Sequence, residues 1–157
     1  MVVVIDVANV MGARADGWWR DRAGAALRLC REVAAVAARG IPPDVLPRDV
    51  LPGDALPGER LPAGALAFPR YVLVLEGRAR EAAERIDNDD THVPADDTHV
   101  RIVKAPRSGD DTIFAEVSAV VASSVSCLVV TADRELQERC RAVGATVTGP
   151  RWMLDLL

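Results

Sequence analysis

The sequence predicts a single α/β domain in which a mostly parallel β-sheet lies between two layers of helices. A chain of 157 residues has the usual size of one domain and can bury one substantial core. Half of its residues are hydrophobic and 27% are charged, which is typical of folded globular proteins. Short apolar runs alternate along the chain with segments of helical periodicity, as in βαβ units. We therefore expect a three-layer α/β/α sandwich.

Four apolar runs are the predicted strands. Each is rich in Val, Ile or Leu, as strands are when both faces of a parallel sheet are covered. The runs are VVVID at 2–6, YVLVLEG at 71–77, VRIVKAP at 100–106 and CLVVTAD at 127–133. The short segment TVTG, at 146–149, follows the last of them. In such a sheet the carboxyl ends of the strands line the functional crevice.

Helices are predicted between and after these strands. Small and apolar residues recur at helical spacing from 21 to 39, and Gly40 stands where a glycine commonly ends a helix. The segments 111–124 and 134–144 also have helical character. Pro150 is well placed to open a last helical turn. The order of the helices and strands thus supports the alternating arrangement.

Two segments do not fit this arrangement. Residues 44–63 form an imperfect five-residue repeat with proline in each unit, and we interpret them as an irregular or disordered surface excursion. Residues 88–100 contain DDTHV twice and both histidines, His92 and His99. Aspartate and histidine together can bind a metal, so an accessory metal site is one interpretation. Acidic runs are more often exposed and flexible, which favours a solvated loop.

Charge and cysteine content exclude several classes of protein. The formal net charge is −4, which argues against a protein that coats nucleic acid by bulk charge. Cys30, Cys127 and Cys140 are odd in number and follow no CxxC spacing, so we expect buried free thiols and no disulfide framework or zinc ribbon. The first apolar run is too short for a signal peptide or a membrane span. We therefore expect a cytoplasmic protein without a membrane partner.

Acidic residues stand at the carboxyl ends of three predicted strands. Asp6 ends the first strand and Asp133 ends the fourth, while Asp110 and Asp111 open the helix that follows the third. Because the carboxyl ends of parallel strands meet at one edge of a sheet, we expect these four side chains to converge. Each one alone could cap a helix or hold a turn. Together they would raise one another's pKa and destabilise the fold unless a cation neutralised them.

A divalent cation is the predicted partner of this cluster. Oxygen ligands without a cysteine or a well-placed histidine suit Mg²⁺ or Mn²⁺, which is held by a few carboxylates and several waters. Such a cation can activate water and neutralise a phosphoryl group, so phosphodiester hydrolysis is the predicted reaction. Asn9 can orient Asp6, donate to a phosphate oxygen or simply hold the turn after the strand.

Three sequence motifs resemble those of the NYN domains within the PIN-like ribonuclease superfamily. They are VVVIDVANVMG, SGDDTIFAEV and VVTADRELQ, in that order, and the match covers residues 1–157 apart from apparent insertions at about 41–69 and 86–99. The resemblance implies a Rossmann-like fold and a Mg²⁺- or Mn²⁺-dependent endoribonuclease that hydrolyses RNA. It further implies a catalytic metal site, supported by Asn9, that is formed by Asp6, Asp110, Asp111 and Asp133. Many members carry a further acid shortly after the last motif, where this chain has Gln137.

Basic and aromatic residues near the predicted site are candidate RNA contacts. Tryptophan can stack on bases, and arginine can bind phosphates. The segment after the first motif and the flanks of the other two supply such residues: Arg14, Trp18, Trp19, Arg20, Arg22, Lys104, Arg107 and Arg134. The alternative is that at least one tryptophan packs the following helix against the core and that the charges form a solvated rim.

Other α/β classes fit the sequence less well. A receiver domain needs an aspartate after its middle strand, where YVLVLEG offers Glu76, and a nucleotide-binding Rossmann domain needs a GxGxxG motif after its first strand. Two alternatives remain: a metal-dependent nucleotide phosphohydrolase, and a catalytically inactive module that binds RNA or a protein partner. A homodimer is also compatible with a chain of this size.

Overall fold

The described residues form a five-stranded, all-parallel sheet with helices on both faces, which confirms the predicted α/β/α sandwich. The computed structural model describes residues 1–47, 49–50, 64–88 and 99–157, and the side chains of residues 87 and 88 are outside this description. Most of the proline-containing repeat lies outside the described residues. The first DDTHV copy, with His92, also lies outside them, as does most of the second. The interpretations of these two segments therefore stay predictions.

The strands lie in the order β3-β2-β1-β4-β5, so the first strand is at the centre of the sheet. Their bounds are β1 Val2–Asp6, β2 Arg70–Leu75, β3 Val100–Lys104, β4 Cys127–Val130 and β5 Thr146–Thr148. The predicted second, third and fourth strands extend too far at their carboxyl ends. The pairing of β2 with β3 ends at Leu75 and Lys104, and the pairing of β1 with β4 ends at Ile5 and Val130. The residues beyond these ends enter loops and helix caps.

Six α-helices connect or follow the strands in the described part of the chain. They are α1 Val7–Gly12, α2 Arg22–Arg39, α3 Glu81–Asn88, α4 Gly109–Ala122, α5 Arg134–Ala142 and α6 Pro150–Leu154. The predicted α2 is confirmed: Asp21 caps it by accepting a 2.8 Å hydrogen bond from the amide of Gly24. Gly40 follows it with φ of +71°, a conformation that favours glycine. Among the described residues, no helix combines the length and the apolar character needed to cross a bilayer.

One helix begins earlier than predicted, and two short helices were not predicted. α4 begins at Gly109, two residues before the predicted start, because Ser108 is its N-cap and accepts from the amide of Asp111 at 3.3 Å. The sequence predicts only a turn around Asn9, whereas this residue lies within α1. α3 was not predicted, because eight residues are too few to show a clear helical period.

The core lies on both sides of β1, whose five residues are all buried. Val3 and Ile5 pack on one face in a cluster with residues of α2, while Val2 and Val4 pack on the other with residues of α4 and α5. This arrangement explains why the first strand reads as an unbroken apolar run. The three free thiols are buried as predicted, and burial raises the pKa of both Cys30 and Cys127 to about 12.

Candidate active site at the carboxyl edge of the sheet

The carboxylate of Asp6 lies at the end of the central strand and is only 4% exposed. Its Oδ1 accepts a 3.0 Å hydrogen bond from the amide of Asn9, and its Oδ2 accepts from Asn9 Nδ2 at 2.6 Å and from Thr131 Oγ1 at 2.8 Å. Burial raises the pKa of Asp6, these hydrogen bonds oppose that rise, and the charge of Glu76 adds to it. Asp6 is thus held in one orientation by donors from α1 and from the loop after β4.

Asn9 and Thr131 connect this carboxylate to the loop after β4. Asn9 Oδ1 accepts a 3.2 Å hydrogen bond from the amide of Ala132, while its Nδ2 donates to Asp6. Thr131 Oγ1 donates to Asp6 and accepts from the amide of Asp133 at 3.1 Å. The amide and the hydroxyl therefore position Asp6 and the Asp133 loop together. Asn9 combines two of its predicted roles, since it orients Asp6 and holds the backbone.

Asp133 has a structural role and an electrostatic one. Its Oδ1 accepts a 2.8 Å hydrogen bond from the amide of Leu136, so it is the N-cap of α5. The same half-buried carboxylate is close enough to raise the pKa of Asp110. The capping interaction considered for this residue in the sequence is confirmed, and its charge acts on the edge of the sheet as well.

Asp110 lies in the first turn of α4, and three other carboxylates act on it electrostatically. Partial burial raises its pKa, and the carboxylates of Asp133, Asp6 and Glu76 raise it further in that order, whereas Arg139 lowers it. No described residue donates a hydrogen bond or forms an ion pair with Asp110. The acid is thus exposed to the repulsion of three others and is directly paired with none of the described side chains.

The structure does not bring Asp111 into this cluster. Its side chain is 73% exposed, and its Oδ1 accepts a 3.1 Å hydrogen bond from Arg139 Nη2. Consecutive helical residues project about 100° apart, because a helix has 3.6 residues per turn. Asp110 and Asp111 therefore cannot both face the edge of the sheet. Their adjacency in the sequence does not reveal which of the two does so.

Glu76 is the acid that the sequence interpretation missed. It follows β2 directly, and its Oε2 accepts a 3.0 Å hydrogen bond from the amide of Gly109 at the start of α4. A Cβ at position 109 would overlap the Glu76 carboxylate, so glycine permits this close approach. The signal was present, because YVLVLEG places an acid beyond a strand end just as the other motifs do.

The donor chemistry of this edge fits a hard divalent cation in part. Among the described residues, no group of three or more Asp, Glu, His or Cys side chains is arranged to hold a metal ion. Mg²⁺, however, commonly uses one or two carboxylates and takes its other ligands from water. Oxygen ligands that repel one another suit such an ion. The residues thus fit a water-rich Mg²⁺ or Mn²⁺ site and do not fit a closed cage of four carboxylates.

Two of the predicted substrate contacts, Arg14 and Trp18, are engaged within the protein, whereas the others are exposed to solvent. Arg14 Nη2 donates to Glu32 on α2, so this cation is engaged within the protein. Trp18 is half-buried against the core, and the guanidinium carbon of Arg22 lies 5.2 Å from its ring centroid. Trp19 is 58% exposed. The other predicted cations are all exposed: Arg20, Lys104, Arg107 and Arg134.

Gln137 stands where the resembling family commonly carries a further acid. Its Nε2 donates a 2.7 Å hydrogen bond to the carbonyl of Thr131, and its Oε1 accepts from Arg141 Nη2 at 3.1 Å. An ionised glutamate could not make the first of these bonds, because it has no donor. Gln137 therefore stabilises the backbone of the loop that carries Thr131 and Asp133.

The described residues form a three-layer α/β/α sandwich with a parallel sheet of the Rossmann-like type, and acids lie at the carboxyl edge of that sheet. One solved structure similar to this chain is that of Rae1 (YacP) from Bacillus subtilis, determined as a point mutant. The TM-score is 0.58 at 14% sequence identity, and the similarity covers 99% of this chain and 74% of that chain. At such low identity the similarity shows the fold alone. No protein-family model and no curated protein matches the sequence.

Proposed function

We propose that the protein is a Mg²⁺- or Mn²⁺-dependent endoribonuclease that hydrolyses RNA phosphodiester bonds at the carboxyl edge of its sheet. The observation that carries this proposal is the placement of four acids at the carboxyl edge of the sheet: Asp6 ends β1, Asp133 caps α5 after β4, and Glu76 after β2 accepts from the amide of Gly109, next to Asp110. Each of the other three carboxylates raises the pKa of Asp110. Such repulsion costs stability, and a divalent cation relieves it. The resemblance of three ordered motifs to NYN domains supports the same function, and the shared fold agrees with it.

The residues of the site have different tasks in this proposal. Asp6 and Asp110 would hold the cation, and water would supply its other ligands. Asp133 and Glu76 increase the negative charge around it. When bound, the cation supplies charge neutralisation at the phosphodiester and activation of a water. Asn9 acts through Asp6, which it keeps in one orientation.

The sequence-based ligand Asp111 receives another task. Its hydrogen bond positions Arg139, whose guanidinium carbon also lies 4.6 Å from the centroid of the Phe114 ring. Arg139 in turn lowers the pKa of Asp110. Asp111 thus helps to keep Asp110 ionised. Its removal should weaken the reaction less than the removal of Asp6 or Asp110.

The test is cleavage of end-labelled RNA, single-stranded and structured, by purified protein in Mn²⁺, Mg²⁺ or EDTA. We expect internal cuts with either metal and none in EDTA. Asp6→Asn and Asp110→Asn should each lower the rate by at least about 100-fold. The matched control is Asp155→Asn, because this exposed acid pairs with Arg151 and is not part of the proposed site. Its neighbour Leu156 contacts Arg39, at the C-terminal end of α2. This variant should cleave like the wild type.

The same assay separates the alternative functions. Parallel reactions contain nucleoside triphosphates, because the same carboxylates could serve a nucleotide phosphohydrolase. Turnover of triphosphates with intact RNA would contradict the proposal and support the phosphohydrolase. Binding of RNA without cleavage in any metal would instead support an inactive binding module. Equal cleavage by Asp6→Asn and the wild type would place the activity in a contaminant or at another site.

A further inference from the structure

A cleft is formed by the start of α2, the loop after β2 and α3, and Trp19 is one of its lining residues. Its basic lining residues are Arg20, Arg22, Arg78 and Arg85. We call these five residues the Trp19 cleft. A positive cluster of this kind is notable in a chain whose formal net charge is −4, because the excess of acid must lie elsewhere. The cleft is therefore a more favourable site for an anionic ligand than the rest of the protein surface.

The two acids of this cleft do not cancel its charge. Asp21 and Glu81 also line it, so four arginines face two carboxylates. The Asp21 carboxylate is already engaged, since it caps α2 through the amide of Gly24, and its distance to Arg85 is 4.0 Å. Exposed pairs at such a distance contribute little. The arginines thus keep their capacity to bind an external anion.

Trp19 offers a flat apolar surface at this basic site. The indole is 58% exposed, which is unusual for so large an apolar side chain. It meets Trp18 edge to face, with 6.3 Å between the ring centroids, and Trp18 packs on the core. Trp19 is therefore supported by its contact with Trp18, while most of its own side chain is exposed to solvent. An exposed aromatic ring beside arginines suits a planar base with its phosphates.

A second cleft connects the Trp19 cleft with the loops after β2 and β3. Arg78 lines both clefts, and the other charged residues of the second cleft are the cations Arg80 and Lys104 and the acids Glu81 and Glu84. Arg80 donates to the carbonyl of Ala105 at 3.3 Å and so joins the loops after β2 and β3. Arg78 stands two residues after Glu76 in the chain. A bound strand can thus run from Trp19 along the ends of β2 and β3 to the acids.

We infer that the Trp19 cleft binds the unpaired RNA segment that flanks the cleavage site, with one base stacked on Trp19 and its neighbouring phosphates on the arginines. The inference rests on the proposed function for the role of the bound strand, but binding itself is measured without cleavage. Stacking on Trp19 requires a base that is free of its own neighbours, so the ligand is single-stranded. An acidic protein would satisfy the arginines and leave the indole without a planar partner.

The test is fluorescence anisotropy of a labelled single-stranded RNA of about ten nucleotides, with the full chain in EDTA so that no cleavage occurs. Trp19→Ala should weaken binding about 5- to 100-fold, and Trp19→Phe should restore most of it. Arg78→Ala with Arg85→Ala should weaken binding and lower its salt dependence, by about 0.7 in the logarithmic slope per lost phosphate contact. Arg70→Ala is the matched control, since this exposed arginine begins β2 at the opposite edge of the sheet. It should bind like the wild type.

Three results would overturn the inference: wild-type affinity in Trp19→Ala, equal affinity for a fully paired duplex, or equal competition by a polyglutamate peptide at matched ionic strength. The two proposals fail separately. RNA that binds through the Trp19 cleft but is not cut in Mn²⁺ contradicts the nuclease alone. RNA that is cut equally well after Trp19→Ala, with unchanged affinity, contradicts the cleft alone. Trp19 is exposed, so its variants should retain the melting temperature of the wild type, which confirms that they fold.

Discussion

Thr131 Oγ1 donates a 2.8 Å hydrogen bond to Asp6 Oδ2 and so joins the ends of β1 and β4 across 125 residues of sequence. The hydroxyl is completely buried, and it also accepts from the amide of Asp133. One side chain thus positions two acids of the proposed site. Because this hydroxyl bonds to both segments, it holds Asp6 and Asp133 close together at the edge of the sheet.

Thr131→Val should destabilise the fold, because the replacement keeps the shape but removes both hydrogen bonds. Buried groups left without partners cost about 1 to 3 kcal/mol each, so we expect a loss of about 2 kcal/mol in the free energy of unfolding at neutral pH. Urea denaturation measures it. Thr131→Ser keeps the hydroxyl and should recover most of the stability. Equal stability of the valine variant and the wild type would show that the hydrogen bond contributes nothing.

Asn9→Asp should place a second negative charge in hydrogen-bonding contact with Asp6. The amide donor at 2.6 Å would be replaced by a like charge, which raises the pKa of the pair. We expect a loss of about 1 to 3 kcal/mol at pH 7 and a smaller loss at about pH 5, where the pair can share a proton. Denaturation at the two pH values, with and without Mn²⁺, measures the effect. A pH-independent loss would contradict repulsion as the cause.

Asp110→Asn should stabilise the metal-free protein at neutral pH. The pKa of Asp110 is raised above its ordinary value of 3.8, so the folded state binds its proton more tightly than the unfolded state does. Stability therefore falls as pH rises from about 3.8 through the raised pKa, and this component is missing in the variant. The rise also means that repulsion and burial outweigh the favourable helix N-terminus. Melting temperatures across this range should diverge with increasing pH; parallel curves would contradict the assignment.

Glu76→Gln should remove the negative charge of Glu76 without removing its structural hydrogen bond, and it thus tests the acid that the sequence motifs did not identify. A glutamine oxygen can still accept from the amide of Gly109, so the loop should keep its conformation. The lost charge should lower the pKa of both Asp6 and Asp110. We expect about tenfold weaker activation of cleavage by Mn²⁺ with little change in melting temperature. Glu116→Gln, which removes an acid paired with Arg101, is the control. An unchanged Mn²⁺ dependence would exclude an electrostatic role for Glu76.

The sequence predicted the fold well because its signals are local and repeated. The apolar run that contains Val3 and Ile5 identifies a strand buried on both faces, and Pro150 and Gly40 mark helix ends through backbone constraints that need no tertiary context. Helix α3 was missed because it is short and because two of its buried residues, Ala82 and Ala83, carry little hydrophobic signal. The pairing of strands decides where each one ends, and pairing is not local.

The site was predicted only in part, for a related reason. Strand ends gave Asp6 and Asp133, and the helix start gave Asp110, but the direction of Asp111 depends on the rotation of α4 about its axis. Arg139, which binds Asp111, comes from a different helix. Glu76 became recognisable as a member of the cluster only through its contact with the amide of Gly109. Such relationships arise between segments, so single motifs do not carry them.

Calorimetric titration of Mn²⁺ into the purified protein measures binding of the cation that the repelling acids are proposed to hold, and it needs no RNA. We expect saturable binding to the wild type, its loss in Asp110→Asn, and its retention in Asp111→Asn. Binding that is equally strong in the wild type and in Asp110→Asn, or no binding to the wild type at all, would show that these acids do not hold a cation.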